Sequence, residues 1–252
     1  MNKKKIAIYI IALLLFVAGV FVVLNDDRKQ AANVGVYEDL QKDHYSLLGD
    51  NAPTVSEEDL VQIPVDFEEL KAINEDIYAW IDIEDTNIHY PIVQHPSDDS
   101  YYLDYTIEHV KGLPGSIYTE RVNAKDFTDF NTLIYGHDMR DGSMFKHVHK
   151  FRDTEFFKAH DTIMIYTENQ ALEYRVYAAV VYDDRHIMYT YDNDDIEERK
   201  AFIESLSTMR YGTNQFREGM TIDENSTLIT LSTCMTGQPN NRLILVAELV
   251  TK

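Results

Sequence analysis

The sequence predicts a mostly β fold, a barrel or a sandwich, with helices at its periphery. Many short apolar segments of strand length follow one another between residues 80 and 250, separated by turn residues. Two stretches, residues 67–77 before this part and residues 192–211 within it, repeat apolar positions at helical spacing. The sequence shows no internal repeat and no low-complexity tract, so residues 65–252 are interpreted as one domain.

The predicted strands follow a simple order along the chain. They cover residues 80–93, 115–118, 132–137, 162–167, 172–182, 227–234 and 243–250. Residues 168–170 connect two of these strands as a hairpin, and residues 235–241, which contain glycine and proline, form the loop of the last hairpin. The stretch 192–211 reads as an amphipathic helix placed between these two hairpins.

The N-terminus predicts a membrane anchor. Lys3, Lys4 and Lys5 precede an uncharged apolar stretch over residues 6–24, close to the ~20 residues that a helix needs to cross a bilayer. The basic flank, residues 1–5, is expected to stay in the cytoplasm, which makes this a single-pass protein of the cell membrane with its main domain outside. A cleaved signal peptide is the alternative, but the apolar core is long and lacks an Ala-x-Ala site.

Residues 25–64 are polar and contain Pro53 and Pro64, so they are interpreted as a stalk or N-terminal extension with a short helix near 36–48. The formal net charge of the chain is −20. This acidity argues against nucleic-acid binding, which requires basic patches. It favours solubility and a cationic partner such as an amine. No phosphate-binding loop, nucleotide fold or cofactor motif is recognisable, and we expect no cofactor.

Cys234 is the only cysteine and ends an apolar strand. Exported proteins normally use cysteines in pairs, so an unpaired one suggests a reactive thiol. A buried, inert cysteine is the alternative. Arg242 opens the next strand, and the hairpin places Cys234 and Arg242 opposite each other.

His137 is the best candidate base among nine histidines. It ends the strand 132–137 directly after Gly136, where another part of the chain can approach closely. Strand alternation places it on one face with Tyr135. A structural or surface histidine is the alternative. The pair His147 and His149 has metal-ligand spacing, but no further ligands are evident, and we expect no metal there.

Three segments together resemble class B sortases, which are cysteine transpeptidases of Gram-positive bacteria. Residues 132–139, TLIYGHDM, and 141–145, DGSMF, resemble the histidine motif of this class. Residues 229–234, ITLSTC, resemble its Thr-Leu-x-Thr-Cys motif, and Arg242 takes the place of its arginine. The resemblance covers roughly residues 65–250.

This resemblance implies an eight-stranded β-barrel of sortase type with an N-terminal helical extension and peripheral helices. It also implies a reaction, in which a C-terminal sorting signal of Asn-Pro-x-Thr or Ser-Pro-x-Thr type is cleaved after threonine through a thioacyl-enzyme. The surface protein is then joined to an amine of a cell-wall precursor, a cross-bridge or a pilin. The partners expected on this basis are the sorting-signal peptide and that amine.

The expected catalytic residues are Cys234 as nucleophile, His137 as acid and base, and Arg242 as the group that holds the oxyanion. The residues expected to bind substrate share strand faces with these or follow by analogy with the family, and they are Ser232, Tyr135, Leu103, Tyr189 and Asp99. Some class B enzymes have an asparagine in the loop after the Pro-Ile-Val-Gln strand, where this chain has Asp98 and Asp99. That difference affects the expected peptide preference.

Two other functions remain open from the sequence. A thiol peptidase would hydrolyse the thioacyl-enzyme, although papain-like enzymes place cysteine before histidine and this chain does the reverse. L,D-transpeptidases carry a His-Gly-Cys type of motif that this chain lacks. A non-enzymatic, tethered binding domain would instead keep Cys234 buried and unreactive.

Overall fold

Eight strands close into a barrel in the computed structural model, which describes residues 3–45, 63–209 and 213–251. The described residues contain nine strands, and eight of them form the barrel. The nine strands are β1 (Ile77–Asp82), β2 (His89–Val93), β3 (Ile117–Tyr118), β4 (Asn131–Tyr135), β5 (Thr162–Tyr166), β6 (Ala171–Asp183), β7 (Gln215–Phe216), β8 (Leu228–Cys234) and β9 (Asn241–Thr251).

The ring runs in the order β5-β1-β2-β3-β4-β8-β9-β6, and β6 pairs back with β5 to close it. The short β7 lies outside this ring and pairs with β6 at Ala178 and Ala179, beyond the part of β6 that β5 covers. Closure leaves the eight strands of the ring without a free edge. The predicted eight-stranded barrel is confirmed, and the segment 80–93, which was predicted as one strand, is part of the β1–β2 hairpin.

Helices surround the barrel. They are α1 (Lys3–Tyr45), α2 (Phe67–Ile73), α3 (Tyr101–Asp104), a 3₁₀ helix (Phe145–Arg152), α4 (Thr154–Ala159), α5 (Ile187–Thr190) and α6 (Ile196–Thr208). The predicted helix at 192–211 is confirmed as α6. It begins where the Asp195 carboxylate accepts hydrogen bonds from the backbone N–H groups of Glu197 and Glu198. Its apolar side, with Phe202 and Leu206 fully buried, packs on the outside of the barrel.

The predicted N-terminal helical extension is confirmed, and its helix is longer than predicted. Instead of a polar stalk with a short helix at 36–48, one continuous helix, α1, runs as far as Tyr45. The first proline of the chain is Pro53, so none interrupts this helix. Residues 46–62, the remainder of the predicted stalk, lie outside the described residues.

The structure corrects the prediction of a membrane anchor at residues 6–24. Among the described residues, no helix combines the length and the mean hydropathy that crossing a membrane requires. The predicted single-pass localisation is therefore wrong.

Tyr37 holds the C-terminal part of α1 against the barrel. Its side chain is 2% exposed. Its hydroxyl donates to the carbonyl oxygen of Gly115 at 2.6 Å, lies 2.9 Å from the hydroxyl of Ser116, and accepts from the backbone N–H of Ile107 at 3.2 Å. Buried polar groups that lose such partners are costly, so this one hydroxyl couples α1 to the segment that leads into β3.

Replacing Tyr37 by phenylalanine should therefore destabilise the protein by about 1–3 kcal/mol, because three buried polar groups lose their common partner. Urea unfolding of the full-length variant measures this change. Tyr189→Phe is the matched control, since Tyr189 is 71% exposed and its loss of a hydroxyl should have no effect. Equal stabilities of Tyr37→Phe and the wild type would contradict the coupling.

Candidate active site

Two strand pairings bring the three predicted catalytic residues to one end of the barrel. Strand β4 pairs in parallel with β8, and Tyr135 is the partner of Ser232. Two residues further along each chain come His137 and Cys234, which therefore leave the same end of the barrel side by side. Strand β9 runs antiparallel to β8, with Arg242 as the direct partner of Cys234.

Gly136 connects the end of β4 to His137 and lies in tightly packed surroundings. A β-carbon on Gly136 would lie 2.5 Å from Cδ1 of Ile117 and 2.6 Å from Cγ of Phe145, so only glycine fits without movement of these side chains. The backbone N–H of Gly136 still donates to the carbonyl oxygen of Ser232 at 3.2 Å. The close packing of Ile117 and Phe145 thus fixes the backbone from which His137 projects.

His137 is half-buried and held at both backbone and ring. Its ring Nε2 lies 2.8 Å from the carbonyl oxygen of Leu103, and its own carbonyl oxygen accepts from the backbone N–H of Phe145 at 3.0 Å. Because a carbonyl oxygen can only accept, Nε2 carries a proton in this arrangement. The second ring nitrogen, Nδ1, is then the one that exchanges protons in the neutral ring.

Cys234 is exposed, so its thiol is not buried as the alternative required. The guanidinium of Arg242 is half-buried and anchored by its own loop, since Nη1 donates to the carbonyl oxygens of Pro239 at 2.9 Å and Asn241 at 3.0 Å. Within the described part of the chain, both of these bonds use Nη1. The donors on Nε and Nη2 therefore remain for a ligand beside the thiol.

A groove of about 330 Å³ passes over these side chains. Seven of the eight predicted site residues line it, namely Asp99, Leu103, Tyr135, His137, Ser232, Cys234 and Arg242. Tyr189 does not line it. The ring of Tyr189 instead stacks on the ring of His186, with 4.1 Å between the ring centres, and covers that groove residue from outside.

The predicted substrate-binding residues Asp99, Ser232 and Tyr135 differ from one another in exposure and in hydrogen-bond or ring partners. The carboxylate of Asp99 is already paired with Arg121, at 3.0 Å from Nε and 2.9 Å from Nη2, and this hydrogen bonding lowers the pKa of Asp99. Ser232 is 8% exposed. Tyr135 stacks on Tyr118 with 5.2 Å between ring centres, and burial raises the pKa of its hydroxyl well above the usual value.

Sequence reasoning missed a carboxylate and a histidine in the groove wall. Glu120 is 9% exposed, and its Oε1 lies 2.9 Å from Nε2 of His186. Burial raises the pKa of Glu120, although the contact with His186 opposes that shift. Its second oxygen, Oε2, is buried without a hydrogen-bond partner among the described residues. No local sequence motif predicts this pair, because the two residues are far apart in the sequence and meet only when the barrel forms.

The histidine pair His147 and His149 does not converge on a common ligand. Nδ1 of His147 accepts from the backbone N–H of Asn87 at 2.9 Å. Nε2 of His149 lies 3.1 Å from the carbonyl oxygen of Cys234. The sequence showed only the metal-ligand spacing of this pair, and the structure makes His149 a neighbour of the active-site cysteine.

Comparisons with known proteins agree with this geometry. The model of the sortase domain family matches residues 81–250. Sortase B of Listeria monocytogenes is 32% identical over 217 residues, which cover 83% of this chain and 86% of the relative. A solved structure of sortase B from Bacillus anthracis is 29% identical with a TM-score of 0.68, and the match covers 88% of this chain and 98% of that one.

A class B sortase of Streptococcus pyogenes that is involved in pilus biogenesis is also similar. It is 30% identical with a TM-score of 0.63, over 74% of this chain and 98% of that one. The barrel, with a cysteine, a histidine and an arginine at one end, is the architecture of a cysteine transpeptidase. The chain belongs to the sortase family, and the relatives it matches are class B sortases.

The buried Glu120 gives the protein a pH-dependent stability that Glu120→Gln should remove. The folded state binds the Glu120 proton more tightly than the unfolded state does, because its pKa is raised above the ordinary value of 4.5. As the pH rises from that value through the raised pKa, the wild type should lose stability relative to Glu120→Gln. Below the ordinary value this contribution is constant.

Urea unfolding at several pH values between about 4 and 8 measures this difference. The glutamine keeps the shape of the side chain and cannot titrate, so only the pH-dependent part of the difference is diagnostic. Stability curves of the two proteins that run parallel over this whole range would contradict the assignment.

Proposed function

We propose that this protein is a transpeptidase that uses Cys234 as nucleophile to cleave a sorting signal and then transfers the new acyl end to an amine. One observation carries the proposal, the position of an exposed Cys234 thiol in a groove that His137 and Arg242 also line. The open groove suits an extended peptide, which can lie across the end of the barrel with a carbonyl group at the thiol.

In the first half of the reaction, the Cys234 sulfur as thiolate attacks the carbonyl carbon of the signal's threonine. The new C–S bond forms as the C–N bond to the next residue breaks. The leaving amine takes a proton from the His137 imidazolium. A cation beside the thiol is needed because free cysteine has a pKa of ~8.5, so that little thiolate is present near neutral pH.

In the second half, an incoming amine attacks the thioacyl carbonyl carbon and gives its proton to neutral His137. The C–S bond then breaks, a new C–N bond remains, and the thiolate–imidazolium pair is restored. Nδ1 of His137 is the proton-transferring atom, because Nε2 is engaged with the carbonyl oxygen of Leu103. Leu103 thereby gains a positioning role through its backbone.

Arg242 stabilises the oxyanion that develops on the threonine carbonyl in both halves of the reaction. It remains protonated throughout, so it acts as a donor and not as a base. Its Nη1 bonds to the loop carbonyls keep the guanidinium beside Cys234. Removing one donor of this kind typically lowers the rate about 100- to 1,000-fold.

The peptide signal is proposed to be of Asn-Pro-x-Thr or Ser-Pro-x-Thr type. The groove combines apolar surface from Leu103 and Tyr135 with polar groups from Ser232 and the Glu120–His186 pair. Polar groups aligned in this way favour a signal with a hydrogen-bonding first side chain over one with leucine. The acceptor amine belongs to a cell-wall precursor, a cross-bridge or a pilin, the last of these suggested by the Streptococcus pyogenes relative.

Intact-mass spectrometry of the full-length protein tests the proposal. Incubation with Asn-, Ser- and Leu-Pro-x-Thr peptides should add the mass of an acyl fragment to the wild type. Added amine, such as triglycine, should release that fragment as a ligated product. Cys234→Ala should show no adduct, His137→Gln a strongly slowed one, and Arg242→Ala a rate about 100- to 1,000-fold lower.

Arg242→Lys is the matched control for charge. Lysine keeps the positive charge but lacks the planar guanidinium with its paired N–H donors. A rate close to that of Arg242→Ala would therefore show that oxyanion stabilisation depends on the guanidinium geometry and not on charge alone. An adduct that resolves only to the free acid, whatever amine is present, would favour a thiol peptidase. No adduct with any peptide, combined with a Cys234 that resists alkylation, would leave a non-enzymatic binding domain.

A further inference from the structure

The loops that follow His137 and Cys234 are joined by one hydrogen bond between side chains. Asp138 comes directly after His137, and Thr236 comes two residues after Cys234. The Thr236 hydroxyl donates to Oδ2 of Asp138 at 2.6 Å. We call this contact the Asp138–Thr236 latch.

The carboxylate of Asp138 is built into the protein rather than placed on its surface. Its side chain is only 2% exposed, and its other oxygen, Oδ1, accepts from Nζ of Lys146 at 2.8 Å. Burial acts to raise the pKa of Asp138, but the hydrogen bonds from Lys146 and Thr236 outweigh it and keep that pKa below the usual value. Asp138 is therefore ionised near neutral pH and is a strong acceptor for Thr236.

His149 adds a second link to the same place. Its Nε2 lies 3.1 Å from the carbonyl oxygen of Cys234 and 3.6 Å from Oδ2 of Asp138. Burial lowers the pKa of His149, which keeps the ring neutral near pH 7 with one N–H to donate. The peptide group on the C-terminal side of Cys234 is thus held by His149, and the turn after it is held by Asp138.

The other hydrogen bonds of the loop after Cys234 are local. The backbone N–H of Gln238 donates to the carbonyl oxygen of Met235 at 2.9 Å, and Nη1 of Arg242 donates to the carbonyl oxygen of Pro239 at 2.9 Å. Residues 236–240 are all exposed, and Gly237 has a φ of 79°. Met235 is 5% exposed and anchors the base of the loop in the core. Loss of the latch should therefore leave the barrel folded and affect mainly the backbone that positions the thiol.

We propose that Asp138, Thr236 and His149 are positioning residues that set the place of the Cys234 thiol relative to His137. This inference rests on the proposed transpeptidase function and adds residues to it. Asp138 is adjacent to His137 in the sequence, so the latch transmits the position of the histidine loop directly to the cysteine loop. Displacements of about 1 Å in such groups lower reaction rates by up to ~100-fold.

The test compares Thr236→Val with Thr236→Ser in the full-length protein. Valine keeps the size of threonine and removes the hydroxyl, while serine keeps the hydroxyl. Thioacyl formation from the best peptide of the panel should have a kcat about 10-fold lower in Thr236→Val, with KM close to that of the wild type, because the latch does not line the groove. Thr236→Ser should restore kcat to within about twofold.

Thr128→Val is the matched control. The hydroxyl of Thr128 donates to Oδ1 of Asp126 at 2.7 Å, so the variant loses a Thr–Asp hydrogen bond of similar length in a loop that does not contribute to the groove. Its kcat should equal that of the wild type. A melting temperature of Thr236→Val within a few degrees of the wild type would show that the loss of rate is not a loss of folded protein.

Asp138→Asn provides a second variant with nearly the same shape. The latch then loses its charge and Lys146 loses its partner, so kcat should fall further than in Thr236→Val while the peptide still binds. If Thr236→Val and Asp138→Asn both react at the wild-type rate, the positioning role is overturned and the proposed reaction stands. A wild type that forms no thioacyl product overturns the proposed reaction itself.

Discussion

The parallel pairing of β4 with β8 is the constraint on which the rest of the site depends. Antiparallel neighbours can arise from a simple hairpin, whereas parallel neighbours need a long connection between them. Here that connection contains β5, β6, β7 and several helices, which complete the other side of the barrel. Ordering this long segment costs conformational entropy. The resulting register brings His137 and Cys234, nearly a hundred residues apart in the sequence, to the same level of adjacent strands.

Three carboxylates in or beside the groove each pair with a cation or a histidine. Asp99 is paired with Arg121, Glu120 with His186 and Asp138 with Lys146. Arg242 is held by backbone carbonyl oxygens rather than by a carboxylate. Its positive charge is therefore not neutralised by an ion pair within the described residues, which suits a group that must meet developing negative charge in a protein with a net charge of −20.

Local patterns in the sequence predicted the elements that carry the chemistry. The strand ending at Cys234, the hairpin to Arg242, and the placement of His137 after Gly136 all follow from apolar runs and turn residues that act over short distances. The N-terminal helical extension was predicted, but the length of α1 was underestimated because polar composition was read as a stalk, although no proline interrupts the helix before Pro53. The Glu120–His186 pair and the Asp138–Thr236 latch were missed because each joins residues that meet only through the closed barrel.

A disulfide in the variant His137→Cys tests the central claim most directly, because Cys234 is the only native cysteine. Adjacent strands lie about 4.8 Å apart, within the Cα separations of about 4.4–6.8 Å that disulfides allow. Mild oxidation should therefore give an intramolecular disulfide, seen as loss of two hydrogens and of both free thiols. Tyr189→Cys, outside the groove, should keep its thiols. Two free thiols in oxidised His137→Cys would contradict the account.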